Sequence, residues 1–190
     1  MNHGLKLKKP LAFFDLETTG VDTINDRIVE ISMLRAMPDG SSLQKTMRIN
    51  PEMPIPAESS AVHGIYDEDV KDEPQFKQVA KSLAGFLEGC DLAGFNSNRF
   101  DVPMLVEEFL RNEIDFDMKN RKLVDAQRIF HMMEPRNLTA AFKFYCGKDL
   151  IGAHGAEADV LATLEVLNAQ VKHYEHVALK DEKGEEYFPI

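Results

Sequence analysis

Apolar and polar positions change period along this chain, and each change marks an element. Leu11-Ala12-Phe13-Phe14 is a near-continuous apolar run between Pro10 and Gly20, the pattern of a central strand covered on both faces. A loop over 21–26 leads to a second strand at about 27–36, where Ile28, Val29, Ile31, Met33 and Leu34 recur. Pro38-Asp39-Gly40 is a turn and Leu43 to Ile49 a third strand, so the first three strands should form an antiparallel meander. Pro51, Pro54 and Pro56 forbid regular pairing, which predicts an extended surface connection over 51–72 carrying Val62-His63-Gly64-Ile65.

From Pro74 the period becomes helical: Phe76, Val79, Ala80, Leu83, Phe86 and Leu87 recur at three- and four-residue intervals, with Pro74 suited to the first turn. A short strand over 91–95 runs into the turn Asn96-Ser97-Asn98 and a helix from about Val102 to Asn112. Lys122 to Asp125 reads as one more strand, backed by a short helix with Ala126, Ile129, Phe130 and Met133 that Pro135 stops. Asn137 is a good N-cap for Leu138, Ala141, Phe142 and Tyr145. The last helix starts near Ala156 and carries Val160, Leu164, Leu167 and Val171 on one stripe. The charged tail from Lys180 reads as frayed, with Tyr187, Phe188 and Ile190 as its apolar docking residues. A meander followed by alternating helix and strand is an α/β pattern, a mixed sheet flanked by helices. The expectation is a single domain over 1–190, with a core of about 11–172 and a tail of 173–190.

Composition narrows the function. The 190 residues are enough for one well-buried core, and 22 basic against 32 acidic residues give a net charge of -10. That balance argues against a broad surface that grips phosphates, although a small acidic site loaded with divalent ions can hold a phosphodiester. Two cysteines, Cys90 and Cys146, stand far apart outside any CxxC or Cys/His pattern, so neither a disulfide framework nor a zinc site is indicated. No window approaches a membrane span, and the apolar run near the N-terminus is too short for a signal peptide, so the expected location is cytoplasmic.

Three places carry acids or a histidine that the local pattern does not call for. Asp15 and Glu17 follow four apolar residues and, with period two, project to one face of their strand. Two like charges side by side oppose each other's ionisation unless a cation neutralises both. Asp101 follows a strand and a turn; an Asp ahead of a helical run is equally a preferred N-cap. His154-Gly155-Ala156-Glu157-Ala158-Asp159 opens the last helix, where an acid also complements the helix dipole. Five helical residues turn the chain by roughly 500°, so His154 and Asp159 can converge only if His154 sits in the preceding loop, as Gly152 and Gly155 suggest. Four carboxylates without thiolates suit hard cations such as Mg²⁺ or Mn²⁺.

Asp15-Leu16-Glu17-Thr18-Thr19-Gly20, then Asn96-Ser97-Asn98-Arg99-Phe100-Asp101, then His154 and Asp159, resemble the three motifs of the DEDDh exonucleases, a family that includes the proofreading subunit of bacterial DNA polymerase III and ribonuclease T. The resemblance runs from about Leu11 to Val171. It implies a ribonuclease H-like fold with a five-stranded mixed sheet, and release of nucleoside monophosphates from the 3′ end of DNA or RNA. By motif position Asp15, Glu17 and Asp159 would hold one divalent ion, Mg²⁺ or Mn²⁺. Asp15 would bridge to a second ion that Asp101 supports, and His154 would be the general base. An imidazole, with an ordinary pKa near 6.5, accepts a water proton at neutral pH. Two ions about 3.5 to 4 Å apart activate the water and stabilise the leaving oxygen. The resemblance also implies contacts to the terminal nucleotide from Leu16, Thr18, Thr19, Glu58, Val62, His63, Asn96 and Phe100. Phe95 stands where many relatives have histidine, a departure outside the metal set. The implied partners are a nucleic acid 3′ end, single-stranded DNA or RNA, and a polymerase in a proofreading or repair role. The alternative is an inactive, nuclease-like module that binds beside a polymerase.

Overall fold

In the computed structural model, which describes residues 3–181 and 184–188, the apolar run after Pro10 is the middle strand of a five-stranded sheet. Strand β1 (Leu11–Thr18) pairs antiparallel with β2 (Ile28–Ala36), and β2 with β3 (Ser42–Arg48), which completes the meander. On its other edge β1 pairs in parallel with β4 (Asp91–Gly94), and β4 with β5 (Leu123–Asp125), giving the order β3-β2-β1-β4-β5. Alternation divides β1 sharply. Ala12, Phe14 and Leu16 are buried, whereas Phe13 and Glu17 are half-buried and Asp15 is exposed. The strand is central, but its second face is less covered than its apolar run suggests.

The buried face carries the main core. Helix α3 (Phe76–Leu87) contributes Phe76, Val79, Ala80, Leu83 and Leu87, and α4 (Asp101–Arg111) contributes Val102, Met104, Leu105 and Phe109. Phe109 meets Phe76 edge-on at 5.4 Å and stacks on Phe116 at 4.5 Å. Pro74 lies one residue ahead of the N-cap Gln75 rather than in the first turn of α3, and it accepts the Asn50 amide instead.

Residues 51–72 do not run as an extended connection. They form α1 (Ala57–His63) and α2 (Asp67–Val70). Pro56 takes the N-cap position of α1, and Gly64 ends it in the left-handed conformation with φ 73°. The segment is anchored because Ile55, Ile65 and Val70 bury against Val29 of β2. Its prolines delimit short helices, and two turns are too few to show a helical period.

The described residues fall into two compact units, 3–129 and 130 onward, with α5 (Ala126–Met133) crossing the boundary. In the second unit α6 (Leu138–Cys146) starts at Asn137, whose side chain accepts the Ala140 amide at 2.9 Å. Helix α7 (Ala156–Tyr174) packs on α6 through Ala162 and Val166 against Phe142, a stripe offset from the one read in the sequence. The tail is not wholly frayed: β6 (Leu179–Lys180) and β7 (Glu186–Tyr187) make a small hairpin, closed by Asp181 accepting the Glu185 and Gly184 amides. Tyr187 and Phe188 are exposed, and Glu182, Lys183 and Ile190 lie outside the described residues. No helix among the described residues is long and apolar enough to cross a membrane.

Candidate nuclease site

The first motif is built where β1 leaves its ladder. Asp15 lies opposite Ser32 and Glu17 opposite Glu30, so three acids share the end of one face, and the register slips between Glu17 and Thr18. Glu30 is paired with Arg48 at 3.3 Å, and Arg48 also reaches Asp69 at 3.3 Å. Among the described residues Glu17 forms no ion pair. Burial pushes its carboxyl up, Asp15 adds to the rise, His63 opposes it and Glu30 adds a little more.

Beyond Glu17 the backbone is tightly held. Thr18 and Thr19 are buried; the Thr18 hydroxyl donates to the Gly20 carbonyl at 2.6 Å and that of Thr19 to Asp26 at 2.9 Å. A Cβ on Gly20 would collide with the Asp26 carboxylate, which explains the glycine that closes the motif. Helix α1 ties down the same stretch. Ser59 donates to the Thr19 carbonyl at 2.7 Å, and His63 Nε2 lies 3.2 Å from the Thr18 carbonyl. Because Nδ1 of His63 accepts the Ile65 amide at 3.1 Å, Nε2 carries the ring proton and donates. Both ring nitrogens of His63 are thus engaged with this chain's own backbone. Val62 and Glu58 are exposed on the same helix.

The second motif meets the first through Asp101. It is the first residue of α4, with Phe100 at the N-cap, so it does not cap its own helix. Its Oδ1 accepts the Leu16 amide at 3.1 Å, which fastens the start of α4 to β1 between Asp15 and Glu17. Asp101 is buried, and its carboxyl is pushed up to about 6, first by that burial and then by Asp15; hydrogen bonds from its own amide and Leu16 oppose the rise, and Asp125 adds to it. A cavity of about 580 Å³ is lined by Asp15, Leu16, Asp101, Asn96 and Phe100, together with Val21, Phe95 and Arg99. The first unit therefore brings Asp15, Glu17 and Asp101 to one strand end beside an open cavity.

His154 and Asp159 belong to the second unit. His154 ends a turn ahead of α7 in the left-handed region, φ 73°, and Gly155 is the N-cap. The His154 amide donates to Asp159 Oδ1 at 3.3 Å, so the carboxylate folds back over the loop that carries the histidine. Among the described residues, no three His, Cys, Asp or Glu side chains form a ready metal cage. The donor chemistry nevertheless fits a hard cation: the acids of the first unit offer oxygen only, and two of them are held where ionisation is disfavoured without a counter-charge.

Two buried carboxylates escaped the sequence reading. Glu108 on α4 is fully buried, 2.6 Å from Arg111 and 4.0 Å from Arg27; burial raises its carboxyl pKa, with both arginines opposing. Asp125, at the end of β5, is 7% exposed and among the described residues forms no ion pair, its carboxylate accepting backbone amides. Its one sequence signal is Asp immediately ahead of a helix, which is too common to single it out.

A mixed sheet with acids gathered at the end of its central strand is the scaffold of ribonuclease H-like nucleases, and solved structures agree. Escherichia coli exonuclease I in complex with a dT13 oligonucleotide superposes with a TM-score of 0.59 at 19% identity, over 87% of this chain and 41% of that one. A zinc-bound exonuclease I complex with single-stranded DNA gives 0.61 at 18% identity, over 90% and 42%. The RNase T family model, described as an exonuclease, matches residues 12–167. The chain belongs to that exonuclease family, and its class is that of the DEDDh-type 3′-5′ enzymes. It is 30% identical over 173 residues to the DNA polymerase III subunit epsilon of Treponema pallidum, covering 85% of this chain and 76% of that one. It is 26% identical to the PolC-type DNA polymerase III of Caldanaerobacter subterraneus over 92% of its length, but spans only 12% of that protein. Exonucleases of this family generally use divalent metal ions.

Proposed function

We propose that this chain is a metal-dependent exonuclease that removes nucleoside monophosphates from the 3′ end of single-stranded DNA or RNA, and that 1–190 make one exonuclease domain. The observation that carries the reading is the Leu16–Asp101 hydrogen bond, which locks the second acidic motif onto the first and gathers like charges with no cation of their own. Asp15, Glu17 and Asp159 hold one Mg²⁺ or Mn²⁺ in this reading, and Asp15 and Asp101 serve a second. Bound there, the ions supply Lewis-acid stabilisation of the leaving 3′ oxygen. His154, on a loop residue outside the hydrogen-bond ladder of α7, takes the proton of the attacking water. Support for joining His154 and Asp159 to the acids of the first unit comes from the family match, which runs through both units.

Phe100, Asn96 and Leu16 line the cavity, and Val62 and Glu58 are exposed, so these five are available to a terminal nucleotide. Thr18 and Thr19 are spent on internal hydrogen bonds through side chain and backbone alike, and contribute by shaping the loop at the end of β1. His63 braces the loop. The oligonucleotide in exonuclease I supports single-stranded substrates, and the epsilon relatives support a role beside a polymerase, in proofreading or repair.

The test is degradation of 5′-labelled single-stranded DNA and RNA oligonucleotides with Mn²⁺, with Mg²⁺ and with EDTA, beside Asp15→Ala and His154→Ala. A metal-dependent ladder shortening from the 3′ end is expected, absent in Asp15→Ala and on the order of a hundredfold slower in His154→Ala, within the range of a lost general base. No cleavage under any metal would leave an inactive binding module.

A further inference from the structure

Asp125, like Glu108, is a buried carboxylate that the catalytic reading does not use, and unlike Glu108 it forms no ion pair among the described residues. A carboxylate in the interior without a cation is expensive unless backbone donors satisfy it. Four do. Oδ1 accepts the Asn96 amide at 2.9 Å, the Gln127 amide at 3.0 Å and the Arg128 amide at 3.3 Å, and Oδ2 accepts the Asn98 amide at 3.2 Å. Burial raises its pKa, but these amide bonds outweigh burial and hold the carboxyl below its usual range, so it is ionised at neutral pH.

Two of the donors start α5, an ordinary capping arrangement. The other two belong to the turn between β4 and α4, whose own backbone is closed by the Arg99 amide donating to the Asn96 carbonyl at 3.1 Å. Asn96 sits in the left-handed region at φ 60°, which asparagine adopts more readily than other residues with a Cβ. Gly94 allows the turn to fold back, since a Cβ there would lie 2.6 Å from Ser97 Cβ. The Ser97 carbonyl accepts the Val102 amide at 2.9 Å, and the Phe100 carbonyl that of Met104 at 3.0 Å, so the turn sets where α4 begins. Asp101 is the first residue of α4 and reaches back to Leu16.

We propose that Asp125 is a positioning residue for catalysis: by clamping the Asn96 and Asn98 amides it fixes the turn that carries Asp101 to the end of β1. The assignment rests on the metal-dependent reading of the site above. It makes Asp125 a partner behind the ligand set, a place where substitutions typically cost 10- to 100-fold in metal affinity or activity.

The test compares Asp125→Asn and Asp125→Ser with the unsubstituted chain. Asn keeps at most three of the four acceptances; Ser retains the cap on α5 but is one bond shorter and loses the turn. Three readouts are taken at 25 °C on each full-length protein: amide hydrogen exchange at Leu16 without metal, Mn²⁺ titration without substrate, and steady-state cleavage of a single-stranded oligonucleotide. Expected are faster Leu16 exchange, Mn²⁺ half-saturation raised about fivefold or more and kcat lowered about tenfold, with KM for the oligonucleotide within about twofold. Asp125→Ser should exceed Asp125→Asn in each. A lower thermal midpoint with Leu16 exchange, Mn²⁺ half-saturation and kcat unchanged would make Asp125 a structural cap only and overturn the proposal. If Asp125→Ser does not fold, the milder Asp125→Asn alone decides. A metal-independent or inactive unsubstituted chain would instead overturn the reading of the site, leaving the hydrogen-exchange result to judge the clamp by itself.

Discussion

Asp101 shows most plainly how a single side chain here works against folding. Its carboxyl is pushed up to about 6 by burial and by Asp15, against an ordinary value of 3.8. Between those two values the native state keeps a proton that the unfolded chain has released. Native stability therefore falls as pH rises through the window, and the penalty is complete above about 6. Asp101→Asn keeps an acceptor for Leu16 and removes the charge. In metal-free protein it should raise the melting midpoint at pH 7.5, with the gain shrinking towards zero at pH 4. An equal gain at both values would assign the effect to packing. Added Mn²⁺ should reverse the order of the two proteins at pH 7.5, since only the carboxylate gains from the ion. The conflict is half visible in the sequence: the apolar run makes Asp15 and Glu17 conspicuous, whereas Asp101 is singled out by its motif while its position alone fits a helix cap equally well, and its bond to the Leu16 amide is legible only in the fold.

Among the elements, what the sequence concealed is mostly what is short or held from a distance. Strands β1, β2 and β4 and helices α3 and α4 announce themselves because each buries apolar side chains, and α6 because Asn137 caps it, whereas β3, β5 and α7 are legible in the sequence from apolar residues that the fold leaves largely exposed or half-buried. Helices α1 and α2 do not, since seven and four residues show no period, and they are fixed by Ile55, Ile65 and Val70 meeting Val29 some thirty positions away in the chain. The loop that follows the first motif is held in a similar long-range manner. Glu108 of α4 pairs with Arg111 and lies near Arg27, while Arg111 also donates to the Ile24 carbonyl at 2.6 Å. Removing one member of a buried ion pair leaves its partners uncompensated, so Glu108→Ala should lower stability by about 3 kcal/mol, below the top of the usual range because both arginines are partly exposed. Urea unfolding at pH 7 measures it; a loss under about 1 kcal/mol would mean that water replaces the carboxylate.

At the scale of the whole molecule, the charge of -10 sets how nucleic acid can be held. A protein that grips 6–10 phosphates with Lys and Arg loses about 10³ to 10⁵ in affinity between 50 and 200 mM salt, through release of counterions. This chain has no surplus of cations for that mode, and among the described residues Arg99 is the one basic side chain lining the cavity beside Asp15 and Asp101. Binding through bound divalent ions, packing on Phe100 and one or two basic contacts should follow a shallow slope of roughly -0.7 per displaced phosphate contact. The affinity of the slow variant His154→Ala, which keeps all four carboxylates, for a fluorescein-labelled single-stranded oligonucleotide, measured by anisotropy in Mn²⁺, should fall by less than about tenfold over that salt range. Arg99→Gln should flatten the slope by close to one contact and weaken binding to every sequence alike. A steep slope in the parent would instead require a basic track outside this cavity, and the acidic composition would then have misled about how the strand is held.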